Sequence, residues 1–245
     1  MTRLLKHWVA EPSQCSYLPD RLASLEYRLM LDVSPEDLDE LLERGWRRFG
    51  PAYFQPRCRQ CASCVPLRIP VDDFRLSRSQ RRVWNKAQRL RMTFGRPTID
   101  AARIQLYERW HAARADVRGW EHDKIDAEQY FHQFAFPHPS AREIGYWHAD
   151  RLVGVAITDE TPRALSAVYT YYDPDEAAQS LGTASILFQL DLARRMQRRW
   201  VYLGYRVLGC PSSEYKRQYL PHELMTSWPS GDETGTWTRV TRDKL

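Results

Sequence analysis

Gln179-Ser180-Leu181-Gly182-Thr183-Ala184 stands between two runs of different period. Before it, Arg163–Tyr172 alternates through Leu165, Ala167, Tyr169 and Tyr171, the period of two expected of a half-buried strand. After it, Ile186, Leu187, Leu190 and Ala193 fall on one side of a helix predicted from about Ser180 to Gln197. Trp200–Tyr205 reads as a further strand. Upstream, Glu143–His148 and Leu152–Thr158 are predicted strands joined by a turn at Ala149-Asp150. Strands, then a helix, then a strand predict an α+β or α/β layer structure.

Working back towards the N-terminus, helices are predicted near Ala101–Arg114 and Ala127–Phe136, the second capped by Asp126. Ser77 caps a helix running to about Arg91, and Arg96-Pro97 breaks it. Val65–Val71 reads as a short strand, and residues 51–65 as a loop holding a cysteine cluster. Ser34-Pro35-Glu36-Asp37 opens another helix, with a capping hydroxyl, a first-turn proline and acids at the positive dipole end. Leu25, Tyr27, Leu29 and Leu31 alternate as a strand over 24–31. The chain is expected to divide into an N-terminal Cys-rich, basic subdomain (1–100) and a second domain (101–245).

The 245 residues are 43% hydrophobic, with 9 Trp, 13 Tyr and 8 Phe, which is a core-forming and not a disordered composition. The net charge is +5, unevenly placed. Residues 44–99 hold fourteen Arg or Lys against Asp72 and Asp73 alone, which points to a polyanionic partner. No run of signal-peptide or membrane-spanning length occurs, so a cytoplasmic chain with no membrane partner is expected.

Cys58-x2-Cys61-x2-Cys64, with Cys15 upstream, has the spacing of a soft-metal site. Zinc, an iron–sulfur cluster and unligated thiols all remain open on spacing alone. Cys15 supplies a fourth ligand if the N-terminal segment folds back. The 75–91 helix carries Arg75, Arg78, Arg81, Arg82, Lys86, Arg89 and Arg91 and no acid, a stripe able to track a phosphate backbone. Its Val83, Ala87 and Leu90 would dock it, while Trp84 either packs or stacks on an unpaired base. In the 179–184 run, backbone N–H groups at a helix start, with a glycine for close approach, suit an oxyanion. Tyr202, Tyr205, Arg206, Tyr215, Lys216 and Arg217 crowd the end of a strand, as a wall for a polar substrate would.

The 179–184 run resembles the Gln/Arg-x-x-Gly-x-Gly/Ala signature of Gcn5-related (GNAT) acetyltransferases, where it cradles the coenzyme A pyrophosphate. That resemblance implies a GNAT-like mixed sheet flanked by helices. Cys15-Ser16-Tyr17-Leu18-Pro19, Tyr53-Phe54-Gln55-Pro56-Arg57-Cys58, Cys61 through Val71, Ser77-Arg78-Ser79-Gln80-Arg81-Arg82, Ser180-Leu181-Gly182, Tyr202 through Tyr205, Tyr215-Lys216 and Pro221 together resemble the bacterial aspartate/glutamate leucyltransferases. One departure is the Ser212-Ser213-Glu214 segment, where that family is expected to carry Lys-Met before the tyrosine.

The family resemblance implies transfer of leucine from leucyl-tRNA to an N-terminal Asp or Glu of a protein, marking it for N-end-rule degradation. No cofactor is required for that transfer. It implies Tyr205, Tyr215 and Lys216 as catalytic candidates, and Arg206, Lys216, Gln179 and Gly182 as substrate-binding ones. Arg75, Arg78, Arg81, Arg82, Lys86 and Arg89 would bind tRNA, and Cys15, Cys58, Cys61 and Cys64 would hold zinc or a [4Fe-4S] cluster. The alternatives are a coenzyme A-dependent acetyltransferase and a non-catalytic RNA-binding or redox-sensing module.

Overall fold

The structure, a computed structural model, describes residues 1–118, 124–229 and 233–242, with the side chains of 116–118 and 177–179 outside the description. In chain order the first half holds β1 (Arg3–Val9), β2 (Ser13–Gln14), β3 (Leu22–Ala23), β4 (Leu25–Leu31), α1 (Pro35–Glu43), β5 (Arg47–Phe49), β6 (Ala52–Pro56), β7 (Cys64–Pro70), α2 (Arg78–Ala87) and β8 (Arg91–Gly95). The second half holds α3 (Ala101–Arg118), α4 (Ala127–Tyr130), β9 (Ala141–His148), β10 (Arg151–Glu160), β11 (Ala164–Tyr172), α5 (Leu181–Arg195), β12 (Trp200–Val207), β13 (His222–Ser227) and β14 (Thr236–Val240). A 3-10 turn over Pro211–Gln218 follows β12.

A mixed eight-stranded sheet runs β14-β13-β7-β12-β11-β10-β9-β8, and a four-stranded one runs β1-β4-β6-β5. The architecture is α+β. The small sheet is built wholly from the first hundred residues, whereas β7 and β8, from the same stretch, lie inside and at the edge of the large sheet. Buried Arg48 of β5 ties the small sheet to Asp159 of β10, Nε to Oδ2 at 3.1 Å.

The helices cover the two faces of the large sheet. On one, Val153 and Ala156 of β10 pack with Ala87 of α2 and Leu181, Ala184 and Phe188 of α5. On the other, Val155 and Ile157 of β10 pack with Leu106 and Tyr107 of α3. β10 is buried along nearly its whole length because both faces are covered.

Two expectations need correction. The basic helix ends at Ala87 and not near Arg91: Met92, Thr93 and Phe94 pair with Tyr146, Gly145 and Ile144 as an edge strand, since a sheet edge offers that segment a complete ladder. Ala52–Pro56, read as loop, is a strand paired with β4 and β5, and its Tyr53 and Gln55 are buried.

Candidate active site

The site is made by two strands that part. β11 and β12 run parallel and pair at Ala164–Trp200, Leu165–Val201 and Ser166–Tyr202, and no further. Beyond those pairs they diverge, and a cavity of about 520 Å³ opens between Ala167–Tyr172 of β11 and Leu203 of β12. α5 crosses from β11 to β12, so its N-terminus arrives at the opening, where Ser180, Gly182 and Thr183 line the wall. Ser180 enters the helix at φ 54° without a side-chain cap, which leaves the first α5 N–H groups available to a ligand. A Cβ at Gly182 would lie 3.5 Å from the Tyr172 ring, so glycine keeps the passage beside that ring open.

The remaining walls come from α3 (Trp110, Arg114) and the 3-10 turn (Ser212, Tyr215, Lys216). Among the described residues the lining holds two cations, Arg114 and Lys216, and no carboxylate, an arrangement that favours an anionic ligand. Lys216 donates from Nζ to the Tyr205 carbonyl oxygen at 2.6 Å. Burial and then the Arg47 cation lower the Lys216 ammonium to about 8, while Cys64 and Cys210 pull the other way. Arg47 itself is buried between the rings of Tyr202 and Tyr205, with Nε and Nη2 without a hydrogen-bond partner among the described residues.

Of the residues singled out from sequence, Gly182, Tyr215 and Lys216 line the cleft. Tyr205 does not: its hydroxyl donates to the Gly45 carbonyl at 2.7 Å. Arg206 is also turned aside, with Nη2 on Glu214 at 3.0 Å, because the Ser212-Ser213-Glu214 departure puts a carboxylate within its reach. The side chain of Gln179 lies outside the described residues. Arg75, Arg78, Arg81, Arg82, Lys86 and Arg89 are all exposed on or beside α2. Arg75 turns back onto the Asp72 and Phe74 carbonyls, and Trp84 packs on Phe188 at 5.1 Å, its ring taken by the core. Sequence reasoning missed Arg114 and Trp110; their four-residue spacing on α3 was the available signal.

The four cysteines gather around Cys64, whose thiol is pushed up to about 12 by burial and then by Cys58, Cys15 and Cys61. Cys15 has folded back: Tyr17 and Leu18 donate N–H groups to its Sγ, and Leu18 packs near Gly209. Ser24 likewise donates to Cys58 Sγ at 3.4 Å. Such N–H donors suit thiolate ligands. Among the described residues no three Cys, His, Asp or Glu side chains stand at metal-ligating positions.

With this geometry in place, the comparisons decide the family. The profile described as "Arginine-tRNA-protein transferase, C terminus" matches residues 102–226, which include the parted strands, α5 and the 3-10 turn. Its N-terminal companion, "Arginine-tRNA-protein transferase, N terminus", matches residues 13–82, from Cys15 into the basic helix. The chain belongs to this family of aminoacyl-tRNA–protein transferases.

Within it, the chain is 35% identical to the "Aspartate/glutamate leucyltransferase" of Helicobacter hepaticus, over 95% of this chain and 97% of that one. It is 38% identical to the protein of the same name from Pseudomonas syringae pv. tomato, over 93% and 97%. Among solved structures it resembles L-PGS from Bacillus licheniformis (14% identity, TM-score 0.45, 71% of this chain and 51% of that one). It also resembles FemX (11%, TM-score 0.44, 74% and 63%). Among the described residues no helix is long and apolar enough to cross a membrane.

Proposed function

We propose that the chain transfers leucine from leucyl-tRNA to the N-terminal Asp or Glu of proteins in the cytoplasm, marking them for degradation. The observation that carries this reading is the cleft between β11 and β12, cationic and free of carboxylates, together with relatives named leucyltransferases that the chain matches almost end to end. The parallel pair that parts beside a helix N-terminus supports reading the domain as GNAT-like, with an N-terminal Cys-rich part.

In the reaction, the acceptor's α-amine nitrogen attacks the ester carbonyl carbon of leucyl-tRNA. A C–N bond forms, the bond to the ribose oxygen breaks, and the amine's proton ends on that leaving oxygen. The ester is already activated, so holding both reactants in line supplies much of the acceleration, and no cofactor enters the step. Lys216, at about 8, is matched to an α-amine of ordinary pKa ~7.7–8.0, so its neutral form can take the proton. The N–H groups opening α5, beside Gly182 and Gln179, face the carbonyl oxygen or the terminal phosphate. Tyr172 and Tyr215 offer rings to the 3′ adenine, and Ile186 and Leu203 offer apolar surface to the leucyl side chain. Arg78, Arg81, Arg82, Lys86 and Arg89 hold the tRNA, with Arg75 beside them.

Cys15, Cys58, Cys61 and Cys64 are proposed to hold zinc or an iron–sulfur cluster: all four are sulfur donors grouped about Cys64, and a bound cation would stabilise as thiolate the Cys64 sulfur that burial and its neighbours now keep protonated. Metal analysis of protein purified without oxygen tests that part. For the transfer itself, the protein is incubated with an Asp-starting peptide and either labelled leucyl-tRNA or labelled acetyl-CoA. Label from leucyl-tRNA alone is expected. Label from acetyl-CoA alone would replace this reading with an acetyltransferase.

A further inference from the structure

We infer that Arg114 reads the acidic side chain of the acceptor, taking the carboxylate of an N-terminal Asp or Glu on the sheet face opposite the basic helix; this deepens the proposed leucyl transfer and rests on it.

The faces of the sheet are served by different charges. α2 and α5 pack on one face, and Arg78, Arg81, Arg82 and Arg89 of the α2 segment are exposed there, with no carboxylate partner among the described residues. A polyanionic donor is drawn to that side. α3 packs on the other face. The gap between β11 and β12 is lined from both, by Gly182, Thr183 and Ile186 of α5 and by Trp110 and Arg114 of α3. With the donor entering beside α5, the α3 side is left for the acceptor, and the cation it meets there is Arg114.

Arg114 also differs from the other described arginines of α3. Arg103 is held by Glu143 and Asp100, and Arg109 by Asp173 at 2.8 Å and Asp175 at 3.0 Å. Arg114 is half-buried and has no carboxylate partner among the described residues. Its guanidinium carbon lies 4.6 Å from the centre of the Trp110 ring. A guanidinium stacked on an indole keeps its N–H edge for a carboxylate, which it can grip with two parallel hydrogen bonds. Its charge is felt by Tyr169 on β11 and Tyr215 across the cleft, where it works against the rise that burial gives both hydroxyls. Arg114 is therefore a specificity residue at the mouth, apart from Lys216, whose Nζ is tied to Tyr205.

The test uses the full chain and peptides identical except for an N-terminal Asp or Asn. Calorimetry without tRNA reads peptide affinity, and steady-state transfer from leucyl-tRNA reads the KM of each substrate. The wild type is expected to bind the Asp peptide more tightly than the Asn peptide. Arg114→Gln should weaken the Asp peptide by about tenfold to a hundredfold, the loss of charge-assisted hydrogen bonds, and leave the Asn peptide and the leucyl-tRNA KM within about twofold. Arg114→Lys should recover part of the preference. Trp110→Leu, which removes the ring beneath the guanidinium, should move Asp binding the same way.

An Asp-over-Asn preference that survives Arg114→Gln overturns the assignment, as does a wild type without the preference. So does a loss that falls equally on leucyl-tRNA, which would put Arg114 on nucleic acid. If the wild type prefers Asp through Arg114 but transfers no leucine, the donor assignment fails and the Arg114 one stands.

Discussion

Lys216 Nζ meets the backbone carbonyl of Tyr205 at 2.6 Å, directly past Gly204, where the β7–β12 register shifts. Gly204 takes φ 72°, and a Cβ there would stand 3.9 Å from Lys216 Nζ. One irregularity in β12 thus seats the ammonium against the strand.

This geometry makes the pH dependence specific. Burial and the Arg47 charge disfavour the charged form of Lys216, so its pKa falls to about 8, against the pull of Cys64 and Cys210. Removing the Arg47 charge takes away one of those causes, so the pKa must rise. Arg47→Met is expected to shift the rising limb of kcat/KM to higher pH and to slow transfer at neutral pH. A limb that stays in place assigns the proton to another group.

Gly204→Ala tests the same seat from the backbone side. A left-handed φ strains alanine by roughly 1 kcal/mol, so a modest fall in Tm is expected. Transfer should fall further than that stability loss explains, because relieving the left-handed φ shifts the Tyr205 carbonyl that seats Lys216 Nζ. Equal, small effects on both would make Gly204 a purely structural residue.

Charge reversal at Arg78 and Arg82 should weaken tRNA binding and reduce the steepness of its dependence on salt. The residues are exposed, so folding should be unaffected. Filter-binding across a salt series gives the slope, and an unchanged slope would make α2 a merely solvated face.

His138 gives a stability prediction. Burial, then Arg48 and Arg96, lower its pKa to about 3 from 6.5, and its Nε2 lies 2.8 Å from the Tyr53 hydroxyl. Between those values the unfolded chain binds a proton that the folded one does not. Stability should therefore fall as pH drops from about 6.5 towards 3, by up to ~1.4 kcal/mol per pH unit from this group. His138→Gln should lower stability at neutral pH and flatten that slope in denaturant titrations.

The strands and helices of 141–207 were legible because their periods are clean, whereas the nearness of Cys15 to Cys64 depends on the N-terminal segment folding back, which the spacing left open. The cleft was only half legible. Its glycine turn reads locally, whereas the parting of β11 from β12 after Ser166 depends on pairing between distant segments. For the same reason Tyr205 and Arg206 were expected at the site: neighbours of Lys216 in the fold, they are claimed by Gly45 and Glu214. Arg114 lies far from them in sequence and enters the cleft only through the packing of α3 on β10 and β11.

The most direct measurement is mass spectrometry of peptides beginning with Asp, Glu or Asn after incubation with the protein and leucyl-tRNA. The expected result is one added leucyl group at the N-terminus of the Asp and Glu peptides and none on the Asn peptide. Unmodified Asp and Glu peptides, with the protein folded and the leucyl-tRNA intact, would contradict leucyl transfer at this cleft.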